Sequence, residues 1–215
     1  DSFLHVLLEN SLKNITAGCV ILGGGGHAAV ILDAIHAGVG SLSCVVLDKN
    51  RDHWGKKILN VEILGDDTLL PELLEAGVLS FIVGVGGVGD NQLRKDLFEQ
   101  GVRHGLEPMI VQHPAAVLSE WARIGAGTVL LATSVVGPRA IIGENVIVNT
   151  GAIVEHDCQV GDHAHISIGA QLASAVHVGS MAHVGVGASI RQSVSIGEGA
   201  IVGAGAVVVK DVADW

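Results

Sequence analysis

From Leu118 to Val208 every sixth residue is Leu, Ile or Val, sixteen in succession. Four places after each stands a small or short branched residue: Ala122, Thr128, Ser134, Ala140, Val146, Ala152, Cys158 and onward to Val212. The position directly after the aliphatic one is often Gly, as at 125, 137, 143, 161, 179, 185, 197 and 203. A period of six is neither the 3.6 of a helix nor the plain alternation of a strand. It is the signature of a hexapeptide parallel β-helix, in which three short strands and their turns close one triangular coil of about eighteen residues. The aliphatic residue fills the coil interior, the small one fits where the wall bends, and Gly is expected to free the turn from φ restrictions. Leu, Ile and Val make up roughly a quarter of ordinary sequence, so sixteen hits in register exclude chance. The run from 118 to 212 implies about five coils with no inserted loop.

The composition suits such a wall: 49% of the 215 residues are hydrophobic, only 3% are aromatic, and there is no Tyr. A net charge of −10 argues against nucleic acid or an anionic membrane as the main partner. No apolar run approaches the ~18 residues of a spanning helix. Cys19, Cys44 and Cys158 sit in apolar, strand-like contexts and are odd in number. They read as reduced core residues of a cytoplasmic protein. No basic segment precedes an apolar core, so no signal peptide is expected. Beginning at Asp1 rather than Met, the chain is expected to be either a trimmed or partial form or a piece of a longer polypeptide.

Residues 1–17 read as an N-terminal extension with short amphipathic helical spacing. Residues 18–110 read as an α/β, Rossmann-like unit, and 111–215 as the β-helix. Cys19–Leu22, Cys44–Asp48 and Phe81–Val83 are strands. Ala28–Ala37, Thr68–Ala76 (capped by Asp67 or Thr68) and Asn91–Gln100 are helices. Strands alternating with helices imply a parallel sheet.

Gly23-x-Gly25-x-x-Ala28 follows the first strand and opens the first helix, and Asp48 ends the next strand. This pattern gives a tight turn, close backbone approach to a phosphate, and a helix N-terminus aimed at that anion. Read literally it means NAD, but no hydride-transfer domain follows. The residues support some phosphate-bearing nucleotide, with Asp48 placed for a ribose hydroxyl. The bland alternative is a tight βα turn that binds nothing. Gly84-Val85-Gly86-Gly87, at the end of the third strand, would lie beside the first turn and extend the crevice to Gly86.

Five histidines fall between Glu155 and His183. His163-x-His165 has chelating spacing, but no Cys or carboxylate set completes a metal site, so no metal is expected. His163 and His177 read as solvent-facing turn residues. His156 lies in Glu155-His156-Asp157-Cys158, and a histidine flanked by carboxylates suits general base work. In a regular strand adjacent side chains point apart, so Asp157 reaches His156 only if the corner is irregular. His165 lies half a coil on, facing another way, and would meet His156 only across a subunit interface.

Three stretches carry a resemblance: Gly23-Gly24-Gly25-Gly26-His27, Val148-Asn149-Thr150-Gly151-Ala152-Ile153-Val154-Glu155-His156-Asp157-Cys158, and His165-Ile166-Ser167-Ile168-Gly169-Ala170. Val46-Leu47-Asp48 and Ile201–Ala206 agree with it. On these, residues 18–213 resemble the left-handed β-helix acetyltransferases of the sialic acid and bacillosamine type. Those include enzymes that modify nucleotide-linked 4-amino-4,6-dideoxyhexoses. The resemblance implies a homotrimer using acetyl-CoA, with His156 as base assisted by Asp157. It implies His165 of a neighbouring chain near the thioester, and the pantetheine arm along Gly185, Val186, Ala204 and Gly205. The nucleotide sugar would be held by Gly25, Gly26, His27 and Asp48. UDP-sugar relatives often carry two acids at the end of the second strand. Here Lys49 follows Asp48, which leaves the base open.

The expected reaction is direct N-acetylation of a nucleotide-linked amino sugar, with His165 or a backbone N–H at the oxyanion and Cys158 as wall packing. The rivals are O-acetylation of a free sugar acid such as sialic acid, a non-catalytic nucleotide-sensing trimer, and a zinc β-helix of carbonic-anhydrase type.

Overall fold

The computed structural model describes residues 18–38 and 42–215. The extension expected over 1–17 lies outside the described residues. The chain divides into two compact units. One ends at Val85 and resumes over Leu97–Met109; the other comprises Gly86–Asp96 and Ile110–Trp215.

The first unit is built on β1 (Cys19–Leu22), buried along its whole length. A glycine turn leads into α1 (Gly26–Gly38), which buries Ala28, Ile31, Leu32, Ala34 and Ile35 at helical spacing. β2 (Cys44–Leu47) and β5 (Ser80–Val83) flank β1 in parallel register. With β3 (Lys57–Ile58), β4 (Val61–Gly65) and β6 (Glu107–Pro108) the order is β3-β4-β2-β1-β5-β6. The chain leaves β1 for β2 on one side and returns to β5 on the other. A doubly wound sheet places its ligand crevice at that switch, outside the strand C-termini.

Two details differ from the sequence reading. The β3–β4 hairpin was not anticipated, because its turn residues Leu59 and Asn60 reach φ 45 and 74 without glycine. The helix expected from Thr68 is a 3₁₀ turn over Asp67–Leu69 followed by α2 (Leu70–Glu75). Its cap is Asp66, whose carboxylate accepts the Thr68 N–H at 3.1 Å. The last helix, α3, runs over Gln92–Arg103.

In the second unit two-residue strands recur every six residues from Val111 to Val208 in three parallel sheets, with no inserted loop. Each strand pairs with the one eighteen residues on, as Val129 does with Ile147 and His165 with His183. The inward aliphatic and small residues form one continuous buried core.

The corners correct one expectation. The residue that turns left-handed stands three places after the aliphatic one, as at Thr133, Arg139, Asn145, Gly151, Asp157 and His163, with φ between 51 and 67. The glycines directly after the aliphatic position are not among the positive-φ residues. Most are there for space: a Cβ on Gly125 would lie 2.4 Å from the Gly143 carbonyl carbon, and one on Gly179 2.5 Å from the Glu198 nitrogen. They let successive coils close on one another.

The three faces differ. On the face carrying Arg123, Ile141, Gln159, His177 and Ser195 the outward residues are exposed. On the face carrying Val129, Ile147, His165 and His183 they are buried. The strap Gly86–Asp96 bonds to this covered side. Asn91 Nδ2 donates to the Met181 carbonyl at 3.0 Å. Arg94 Nη2 donates to both the carbonyl and Oδ1 of Asn145, each at 2.9 Å.

Candidate functional site

The corner Glu155–Cys158 joins the strands Ile153–Val154 and Gln159–Val160. Asp157 stands at φ 63, which supplies the irregularity its contact with His156 requires. Its Oδ2 lies 2.7 Å from His156 Nδ1. The carboxylate accepts there, so Nδ1 carries the proton and Nε2 presents its lone pair. Nε2 takes no hydrogen bond among the described residues, and the side chain is 45% exposed. An imidazole tethered at one nitrogen and open at the other has the geometry of a proton acceptor.

The same carboxylate meets a residue the sequence reading missed. Arg139 donates from Nε to Asp157 Oδ1 and from Nη2 to Oδ2, both at 2.6 Å. Arg139, foremost, and then His156 hold the Asp157 carboxyl well below the usual carboxylate range. The pairing was available in the sequence as an opposite charge eighteen residues earlier at the same corner position.

His165 is placed differently. It is 6% exposed. Its Nδ1 donates to the Gly87 carbonyl at 2.6 Å, and its Nε2 accepts from Asn149 Nδ2 at 2.9 Å. Burial pushes its pKa down to about 3, against the opposing pull of the Gly87 carbonyl. The ring is a neutral Nδ1–H imidazole with no N–H left over for an oxyanion. His183 packs edge-on against it with centroids 5.0 Å apart. His163 contacts Asn145 Nδ2 at 3.0 Å, and His177 lies in a strand on the exposed face.

In the first unit Asp48 closes on the glycine turn. Its Oδ2 accepts the Gly24 N–H at 2.6 Å and its Oδ1 accepts the Asn50 N–H at 2.7 Å. Each oxygen keeps a further lone pair. Gly23 stands at φ 105 with its Cα facing Val85 and Gly84, so the turns after β1 and β5 do lie side by side. A Cβ on Gly25 or Gly26 would meet nothing within 4 Å. That leaves open space at the N-terminus of α1, whose second residue is His27.

Gly185, Val186, Ala204 and Gly205 fall at the corner that joins the covered face to the next. Val186 is 51% exposed, and its carbonyl accepts the Gly205 N–H at 2.8 Å. This is a different edge of the triangular coil from that of His156. Gly86 begins the strap.

Cys158 is buried and donates to the Ala173 carbonyl at 3.1 Å, and burial raises its pKa. All three cysteines are free. Among the described residues no group of three or more His, Cys, Asp or Glu is placed to hold a metal ion. Among them, too, no helix is long and apolar enough to cross a membrane.

Residues 19–100 match the family described as the PglD N-terminal domain. Over nearly its whole length the chain is similar to a histidine-to-asparagine mutant of perosamine N-acetyltransferase from Caulobacter crescentus, solved in complex with CoA and GDP-perosamine. Identity is 38%, over 93% of this chain and 92% of that one, with a TM-score of 0.87. The acetyltransferase domain of PglB from Neisseria gonorrhoeae FA1090, solved with acetyl coenzyme A, is 33% identical over 92% of this chain and 94% of that one. Its TM-score is 0.83. WeeI from Acinetobacter baumannii AYE, at 24% identity over 93% and 94% and a TM-score of 0.83, shares the fold. No curated protein sequence matches the chain.

Proposed function

Given that this chain belongs to the hexapeptide-repeat nucleotide-sugar acetyltransferases, left-handed β-helix enzymes that use acetyl-CoA, we propose that it N-acetylates the 4-amino group of a nucleotide-linked 4-amino-4,6-dideoxysugar. The observation that carries this reading is the His156 ring, fixed at Nδ1 by Asp157 and open at Nε2.

The amine attacks the thioester carbonyl of acetyl-CoA, forming the C–N bond. His156 Nε2 takes the proton that the nitrogen sheds, and Asp157 steadies the imidazolium. The C–S bond breaks, the thiolate leaves, and the proton passes to it, giving CoA and the N-acetyl sugar. No acyl-enzyme is required, which agrees with the buried, hydrogen-bonded Cys158 thiol. The His165 ring is committed on both sides, so the oxyanion falls to a backbone N–H.

The acetyl-CoA arm is assigned to Gly185, Val186, Ala204 and Gly205. Because their corner is not the His156 corner, a site that uses both takes them from two copies of the chain. A homotrimer with three sites between subunits meets that need. The nucleotide phosphates are assigned to the open turn at Gly25, Gly26 and His27, with Asp48 at the ribose. The GDP-linked sugar is the first candidate, since the relative at 38% identity was solved with GDP-perosamine. We infer a cytoplasmic location, where acetyl-CoA is supplied.

The test is thiol release from acetyl-CoA, run beside GDP- and UDP-linked 4-amino-4,6-dideoxysugars and free sialic acid. Release with one nucleotide sugar, and an acetyl group found on its nitrogen by mass spectrometry, is expected. Release with sialic acid alone would replace the reading with O-acetylation. Silence with all three from a folded protein would overturn it in favour of a binding module.

A further inference from the structure

We propose that Arg139 is a positioning residue for the reaction, clamping Asp157 in the orientation in which it grips the Nδ1–H of His156. The inference rests on His156 being the base. Arg139 and Asp157 occupy the same corner position on successive coils, both at left-handed φ, 60 and 63. That shared backbone conformation turns both side chains to one edge. Each is tied to the coil below, through Arg139 N–H to the Trp121 carbonyl at 3.3 Å and Asp157 N–H to the Pro138 carbonyl at 3.2 Å.

The planar guanidinium fork meets both carboxylate oxygens at 2.6 Å, a geometry that an ammonium cannot reproduce. Stability does not account for it: the Arg139 side chain is 66% exposed, and exposed ion pairs contribute little. What the fork does is remove the freedom of a short, 37% exposed acid to swing into solvent. The shared Oδ2 has a second consequence. A carboxylate already paired with a cation attracts an imidazolium less, so removing Arg139 would strengthen the pull of Asp157 on a protonated ring. Among the neighbouring ionisable groups, Glu155 Oε2 accepts the backbone N–H of His156 at 3.1 Å, and Cys158 stands two places on in the chain. From the coil above, uncharged Ala175 donates its backbone N–H to the His156 carbonyl at 3.0 Å.

The expected result for Arg139→Gln is a kcat lower by about tenfold, with KM little changed and the acid limb of kcat/KM moved to higher pH. Arg139→Lys, which keeps the charge but not the fork, is expected to restore the limb and only part of kcat. Placed in an Asp157→Asn background, Arg139→Gln is expected to add no further loss.

A readout free of acetyl transfer is the rate at which diethyl pyrocarbonate carbethoxylates His156, followed against pH by mass spectrometry. Its midpoint is expected to rise in Arg139→Gln. A midpoint and a kcat that both stay at wild-type values, or losses that multiply in the double variant, would overturn the proposal. So would a fall in Tm alone. If the wild type transfers acetyl to no acceptor but the midpoint still moves, the proposed reaction fails and the positioning of His156 by Arg139 stands.

Discussion

The exposed corner at His156 and the covered face at His165 use the same side chain for opposite ends. At the corner one ring nitrogen is held by a carboxylate and the other is open. On the covered face both nitrogens are spent within the chain, and the ring is dry. Nine residues of a uniform repeat separate them. The difference comes from what lies over each: a salt-bridged acid in one case, the strap Gly86–Asp96 in the other. Proton exchange needs a ring that both states can solvate, whereas a ring that only pins a backbone is best kept neutral.

The largest effect that sharpens this contrast is on rate. His156→Gln is expected to lower kcat by about 10²- to 10⁴-fold with Tm near wild type. A loss under tenfold would remove His156 from the base role. Next is a cost in stability on the covered side. Arg94, 1% exposed, is held by Asn145, and burial lowers its pKa to about 9. Arg94→Ala strands those acceptors and is expected to cost about 2–3 kcal/mol in urea unfolding. A change within about 0.5 kcal/mol would show the strap to be weakly held.

A third effect is one of pH. His165 ordinarily titrates near 6.5 but in the fold only near 3, and burial shifts His183 in the same direction. As pH falls below 6.5 the unfolded chain takes up protons that the folded rings refuse, so stability drops across the window from 6.5 towards 3. His165→Gln is expected to flatten Tm against pH between 7 and 4. An equally steep variant would mean that the slope arises elsewhere.

Much of this is legible in the sequence. The period of six gave the coil, its interior and its freedom from insertions, because every coil repeats the same packing demand. The Glu155-His156-Asp157 cluster broke that repeat and so marked itself. Three things were hidden for physical reasons. Glycine after the aliphatic position was read as a φ device, yet it answers a close approach that only the stacked neighbour reveals. The β3–β4 hairpin carried no glycine to announce its turn. The strap is remote in sequence, so covering His165 is a tertiary event. Its trace is the difference at period eighteen between Val129 and Ile147 on one face and Gln159, His177 and Ser195 on another. Arg139 is readable from the same long period once Asp157 is known to turn back.

The strand next to the His156 corner, Ile153–Val154, is third in a sheet of six. Each coil is bonded to those directly above and below it, so opening of such a stack begins at its ends and proceeds inward one layer at a time. Fraying of the Val207–Val208 layer, whose outward residue is 75% exposed, would have to consume three layers before it reached the His156 corner. Amide exchange along the repeat should therefore slow from the terminal coil towards residues 153–160. The proposed base occupies the part of the molecule that everyday breathing reaches last.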